Sequence, residues 1–283
     1  MAERRTGHCH HPAVRRPVDV RRDSGGTPAP AEDSIALEVP VALVYNGISH
    51  AVMMATPGDL DDFALGFSLT EGILQSAQEL YDLEVHEEAA GIAVHLEIAA
   101  QRLTELKQRR RSLTGRTGCG LCGTESLQQA IRPVRPVTAP VVGDTAIQHA
   151  LAALSQHQPL QQETGATHGA AWCDAEGNVR LAREDVGRHN ALDKLIGAAV
   201  KSGESFADGF ALVSSRASYE MVQKSCSVGI GALIAVSAPT SLAIDLARDA
   251  GLLLVGFARS GRHVIYNNPA ALTEGAAPAR HAG

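Results

Sequence analysis

Residues 209–257 read GFALVSSRASYEMVQKSCSVGIGALIAVSAPTSLAIDLARDAGLLLVGF, and their pattern decides the fold. Phe210–Val213, Ala232–Val236 and Leu252–Phe257 are short apolar runs of strand length. Between them, Tyr219–Val228 and Ser241–Ala250 space their apolar residues as helices do, and Gly251 stops the second. Strands alternating with helices predict a sheet covered on both faces, the layered α/β class. Working outward, Asn190–Val200 reads as a helix, Ala170–Cys173 and Val179–Ala182 as a strand pair, and Ile147, Leu151 and Leu154 as a helical stripe. Downstream, His263–Tyr266 supplies a last strand. Residues 141–272 are therefore expected to form one layered α/β domain.

The segment 34–112 is written differently. Leu37, Val39, Val41 and Leu43 alternate, Asn46-Gly47 follows, and a second apolar run continues through Val52. Asn-Gly between two such runs is a strong hairpin signal. Thr56-Pro57-Gly58-Asp59 has the pattern of a capping box, ahead of a helical stripe of Leu60, Phe63, Ala64 and Phe67 that ends near Gly72. Ile92, Val94, Leu96 and Ile98 alternate and write a second hairpin. A smaller α+β domain is expected here. Residues 1–33 mix Arg pairs with acids, Pro and Gly and read as a disordered tail, as do residues 273–283. Residues 113–140 combine a glycine-framed Cys-x-x-Cys loop with a linker marked by Pro133, Pro136 and Pro140.

A hydrophobic share of 45% and a net charge of −6 are globular values that give no reason to expect nucleic acid. No apolar run approaches the ~18 residues of a membrane span. The Arg-, Pro- and His-rich opening stretch lacks the apolar centre of a secretory signal. Five cysteines are too few, and odd in number, for a disulfide scaffold. A cytoplasmic protein is expected.

Cys119 and Cys122 are the sharpest chemical feature. A structural zinc site needs four ligands, and Cys9, Cys173 and Cys226 each stand alone, so no metal is expected. The cluster His8-Cys9-His10-His11 has nothing nearby to hold its ligands rigid. A thioredoxin-type motif follows an apolar strand, whereas a basic, Gly-rich segment precedes this pair. Gly118, Gly120 and Gly123 frame both thiols with unrestricted backbone, which suits a loop that swings between partners. Arg116 and the run from Lys107 to Arg111 favour thiolate over thiol, and the thiolate is what attacks electrophilic sulfur. The plain alternative is an exposed loop with two inert cysteines.

Other segments place small or charged residues at strand ends. Thr164–Ala171 would let a ligand approach the backbone, and His168 within it reads equally as a site residue or a structural histidine. Arg183–Asn190 sits at a strand-to-helix junction, where open α/β sheets bind ligands. Helix capping by Asp185 or Asn190 with surface salt bridges explains that segment as well. Ser214-Ser215-Arg216 follows a strand and suits a phosphate. Phe257-Ala258-Arg259-Ser260-Gly261-Arg262 ends a strand in a turn with two guanidinium groups, which would hold a pyrophosphate. An ordinary polar hairpin turn is the alternative. No Walker A pattern occurs, and Gly229-x-Gly231 lacks a third Gly in register, so neither an ATPase nor a Rossmann dehydrogenase is supported.

Together, Thr117–Gly123, Arg183–Lys194 and Phe257–Arg262 resemble the FdhD family, the sulfur carriers required for formate dehydrogenase activity. The likeness runs from about residue 35 to 270. It implies a cytidine-deaminase-like layered C-terminal domain, a smaller α+β N-terminal domain and a homodimer. It also implies a sulfurtransferase that takes persulfide sulfur from a cysteine desulfurase onto Cys119, with Cys122 as its partner in the loop. The sulfur would pass to the bis-molybdopterin guanine dinucleotide form of the molybdenum cofactor, which is substrate here rather than a resident group. Phe257, Ala258, Arg259, Ser260, Gly261 and Arg262 would contact that cofactor. Deamination is not implied. A deaminase holds zinc with a His or Cys plus a Cys-x-x-Cys and sets a Glu two residues after the first ligand. Here His168 is followed by Gly169-Ala170, and Cys226 has no Cys three residues on. Two other functions stay open: a non-catalytic, cofactor-binding chaperone for formate dehydrogenase, and a thiol–disulfide oxidoreductase. The roles of His168, Arg188 and Arg216 are open too.

Overall fold

The computed structural model describes residues 12–20, 28–114, 134–267 and 272–273. Strands β1 (Ala13–Val20) and β2 (Ala29–Ala36) pair antiparallel. Within the stretch 1–33 expected to be a disordered tail, residues 13–20 and 29–33 are therefore strand. The composition is polar, but Arg16 faces Asp33 in the ladder and Arg15 lies 3.9 Å from Glu32, so opposite charges meet across the strands.

The N-terminal sheet contains β3 (Val39–Tyr45), β4 (Ile48–Ala55), β5 (Leu80–Glu88) and β6 (Gly91–Ile98) in the order β4-β3-β6-β5. The β3–β4 turn is the expected one, with Asn46 at φ 44° and Gly47 at φ 78°. Helix α1 (Leu60–Thr70) packs Phe63 and Phe67 against Val41, Leu43, Val94 and Leu96 of the sheet. It does not start by a capping box. Asp59 occupies the cap position in a left-handed conformation and makes no side-chain cap bond, while the Thr56 hydroxyl turns away to donate to Asp185 at 2.7 Å. Helix α2 (Ala100–Thr114) carries the basic run and was not anticipated, because Leu103 and Leu106 give it too thin an apolar stripe.

The C-terminal part holds β7 (Val142–Gly143), α3 (Asp144–Leu154), α4 (Pro159–Thr164), β8 (His168–Asp174), β9 (Val179–Asp185) and α5 (Arg188–Lys201). There follow β10 (Gly209–Val213), α6 (Tyr219–Ser227), β11 (Ala232–Ala235), α7 (Ser241–Ala250), β12 (Leu253–Arg259), β13 (Arg262–Asn267) and β14 (Leu272–Thr273). Six strands form one mixed sheet in the order β13-β12-β11-β10-β8-β9, with β10, β11 and β12 parallel. Alternate residues feed two cores. Ala211, Val213, Leu233 and Leu254 face α5, α6 and α7, whereas Phe210, Leu212, Ile234 and Val255 face α3. The mixed, doubly covered α/β domain read from the sequence is therefore present.

The two parts are joined backbone to backbone. A Cβ on Gly66 of α1 would lie 1.8 Å from the Asp193 carbonyl oxygen of α5, and one on Gly197 would lie 1.9 Å from that of Asp62. Only glycine permits so close a crossing at both points.

Candidate functional site

The carboxyl ends of β10, β11 and β12 share one edge of the sheet with the start of β8 and the end of β9. Hydrogen bonds run along it without a break. Gly169 and Ser214 exchange two bonds of 2.9 Å, Val236 donates to Val213 at 3.0 Å, and Phe257 donates to Ser237 at 3.0 Å. His168, Arg183–Asn190, Ser214–Arg216 and Phe257–Arg262, distant in sequence, are thereby brought to one rim, where α/β sheets bind ligands.

At one end of the rim, Phe257 has φ 49°, a strained value for a bulky side chain. The β12–β13 register slips between Gly256 and Arg259, and the bulge presents Arg259, Ser260, Gly261 and Arg262 to solvent while Ala258 stays buried. Helix α3 braces the turn: the Gly261 N–H donates to Gln148 Oε1 at 2.7 Å, and His263 Nε2 lies 3.2 Å from Asp144 Oδ1. Neither Arg259 nor Arg262 has an ion-pair partner among the described residues. Two free guanidinium groups on a braced turn suit a phosphate-bearing ligand better than a plain hairpin turn does.

At the other end, the charged motif splits into two roles. Asp185 is fully buried and lies 2.7 Å from Lys194 Nζ, itself fully buried. Asp185 also accepts from the Thr56 N–H and hydroxyl, from the Gly187 N–H and from Asn190 Nδ2, and Asn190 donates on to the Met54 carbonyl. One helical turn away, Asp193 accepts from the Thr70 hydroxyl and pairs with Lys224 at 2.9 Å, which also reaches Glu71 at 3.0 Å. Burial opposes the charge on Lys224, but Asp193 and Glu71 outweigh it and hold the ammonium above its ordinary pKa. These residues fasten α1 to α5 and α6. Surface salt bridges are therefore the wrong account of Asp185 and Asn190. The signal for the seam was present in the sequence as a charged pair, Asp193-Lys194, set between the apolar residues Ala191-Leu192 and Leu195-Ile196.

Arg188 and His189 turn instead toward the rim. His189 Nε2 lies 3.4 Å from Ser218 Oγ and 3.7 Å from Glu220. Burial, then the charge of Arg188, pushes His189 down to about 4, and the same two causes lower His168. Both imidazoles are neutral at pH 7. Ser218, Glu220 and Gln148 were missed in the sequence, where nothing marks them off from ordinary helix-end polar residues.

Cys119 and Cys122 lie outside the described residues, as does the His8–His11 cluster. The two described cysteines, Cys173 and Cys226, are buried, and burial pushes both thiols up to about 12. Neither can serve as a thiolate nucleophile near neutral pH. Among the described residues no three His, Cys, Asp or Glu side chains gather as metal ligands. Nor is any described helix long and apolar enough to cross a membrane.

These features define a class: a mixed α/β protein with an arginine-bearing edge on its C-terminal sheet. The chain belongs to the FdhD/NarQ family, whose model matches residues 36–273. It is 60% identical to the sulfur carrier protein FdhD of Cupriavidus necator, over 84% of this chain and 83% of that protein. It is 53% identical to the protein of the same name from Xanthomonas euvesicatoria, over 91% of this chain and 92% of that one. The Bordetella petrii counterpart is 51% identical, with 92% and 96% covered. In fold it is similar to a crystal structure from Desulfotalea psychrophila, described as that of a formate dehydrogenase accessory protein. The TM-score is 0.74 at 22% identity, covering 93% of this chain and all of that one.

Proposed function

We propose that this chain is a sulfur carrier serving formate dehydrogenase, working in the cytoplasm as a homodimer. What carries the reading is its 51–60% identity, across most of its length, to proteins named sulfur carriers. The Cys119 thiolate attacks the outer sulfur of a cysteine desulfurase persulfide. The S–S bond of the desulfurase breaks, its own cysteine leaves as thiolate, and Cys119 becomes a persulfide with no net redox change. This sulfur then passes from Cys119 to the bis-molybdopterin guanine dinucleotide cofactor held along the rim, with Phe257–Arg262 against its phosphates. Cys122 then attacks the inner sulfur of Cys119. Sulfide leaves toward the molybdenum, and the resulting Cys119–Cys122 disulfide is reset by a dithiol reductant. The high pKa of Cys173 and Cys226 supports this assignment, since it removes both as competing acceptors.

The test is peptide mass spectrometry after incubation with an active cysteine desulfurase and cysteine. A one-sulfur adduct on the Cys119 peptide, removed by thiol and absent from Cys119→Ala, is expected. No adduct on any cysteine would overturn the reading in favour of a cofactor-binding chaperone.

A further inference from the structure

The turn Phe257–Arg262 holds two left-handed residues, Phe257 at φ 49° and Gly261 at φ 71°. Backbone of this kind persists only where its surroundings fix it. On the sheet side the Phe257 N–H is tied to the Ser237 carbonyl at 3.0 Å. The tip is not held by packing: Arg259, Ser260, Gly261 and Arg262 are exposed, and a Cβ on Gly261 would meet nothing within 4 Å. What holds it comes from α3, more than a hundred positions earlier in the chain.

Asp144 and Gln148 stand four positions apart and so share one face of α3. Gln148 Oε1 accepts the Gly261 N–H at 2.7 Å, and Asp144 Oδ1 lies 3.2 Å from His263 Nε2, just after the turn. That Asp144 oxygen is buried and makes no hydrogen bond, so the His263 imidazole is the group that meets its charge. Helix α3 is itself a fixed platform, since Ala146, Ile147, Ala150 and Leu154 are buried in one cluster with Phe210, Ile234 and Val255 of the sheet. With its N–H taken by Gln148, Gly261 has no donor left for a ligand. Arg259 and Arg262, unpaired among the described residues, are then the groups of the turn that can meet one.

We propose that Gln148, seconded by Asp144, is a positioning residue: it touches no ligand, and through the Gly261 N–H it holds the turn in the one conformation that presents Arg259 and Arg262 together. This rests on the reading above in which the turn meets the cofactor's phosphates. Gly261 thereby contributes backbone shape rather than a contact. A binding group is precise only when the groups behind it are held as well.

Two measurements on the full chain test this. Gln148 is half-buried on a helix surface, so both Gln148→Leu and Gln148→Ala should fold, as thermal melting will show. In each, exchange of the Gly261 amide proton, followed by nuclear magnetic resonance, is expected to quicken by tenfold or more. Guanosine diphosphate, titrated calorimetrically, should bind about 3- to 10-fold more weakly, the loss of one neutral hydrogen bond. On an Arg259→Gln, Arg262→Gln background the same substitutions should have no further effect, because they act only through those arginines. Guanosine diphosphate that binds the parent through the arginines, and binds both Gln148 variants as tightly, would overturn the positioning role and leave the reading of the turn intact. Weakening by the same factor with and without the arginines, together with a lower melting temperature, would make Gln148 merely structural and overturn it too. No binding by the parent would overturn the reading of the turn, and the positioning role with it.

Discussion

The interdomain seam and the sheet rim draw on the same stretch of chain and treat charge in opposite ways. Between Arg183 and Lys194, the residues Asp185, Asn190, Asp193 and Lys194 turn inward, and each finds a partner within 3.1 Å. Arg188 and His189 turn outward to a rim where four guanidinium groups, with Arg216, Arg259 and Arg262, go unpaired among the described residues. Matched charge fixes the two parts of the molecule in place. Unmatched charge is a binding capacity that folding has left unused, and the partition within one helix sets the rim at a fixed position on the seam.

The largest effect that could break this contrast is at the seam. Lys194→Met leaves the Asp185 carboxylate buried without its cation, and a loss of about 3–5 kcal/mol is expected in denaturant unfolding. A variant as stable as the parent would mean that the pair contributes little to the joint. Next comes Gly197→Ala, whose Cβ would lie 1.9 Å from the Asp62 carbonyl oxygen. Forcing α1 and α5 apart should cost about 1–3 kcal/mol, read from the same unfolding curves.

Rim substitutions should behave in the opposite way. Arg259→Gln with Arg262→Gln is expected to leave stability within about 0.5 kcal/mol. It should weaken guanosine diphosphate binding by tenfold or more, since two charge-assisted contacts of roughly 1.5–3 kcal/mol each are removed. Stability lost without a change in affinity would make the turn structural.

A pH dependence is expected where the two regions meet. The folded pKa of His189, about 4, lies below its ordinary 6.5, so the unfolded chain takes up the extra proton. Stability should therefore fall as pH drops from about 6.5 to about 4, and this part of the fall should be missing in His189→Gln. Glu220 acts separately: its carboxyl is held below its usual range, so its contribution is lost only below about 4.5. Matching curves for parent and variant across the upper window would show that His189 is not sequestered.

The rim was more legible in the sequence than the seam. Phe257–Arg262 and Ser214–Arg216 sit at strand ends, and the strand–helix alternation alone sends strand ends to one edge. The bulge and the positive φ of Phe257 could not be read, because a bulky aromatic residue carries no local signal for a left-handed backbone. The seam required knowledge of which distant residue meets which. Thr56 has the local pattern of a capping residue, yet Asp185, more than a hundred positions away, takes its hydroxyl. The β1–β2 ribbon was hidden for a similar reason, since its composition is that of a tail and only cross-strand pairing makes it a strand.

Transfer of radiolabelled sulfur is the most direct test of the central claim. The protein would be loaded at Cys119 by a desulfurase, separated from it, and mixed once with cofactor and formate dehydrogenase apoprotein. Label is expected to leave Cys119, appear in the cofactor and activate the enzyme in proportion. Label that stays on the protein while the enzyme becomes fully active would contradict it.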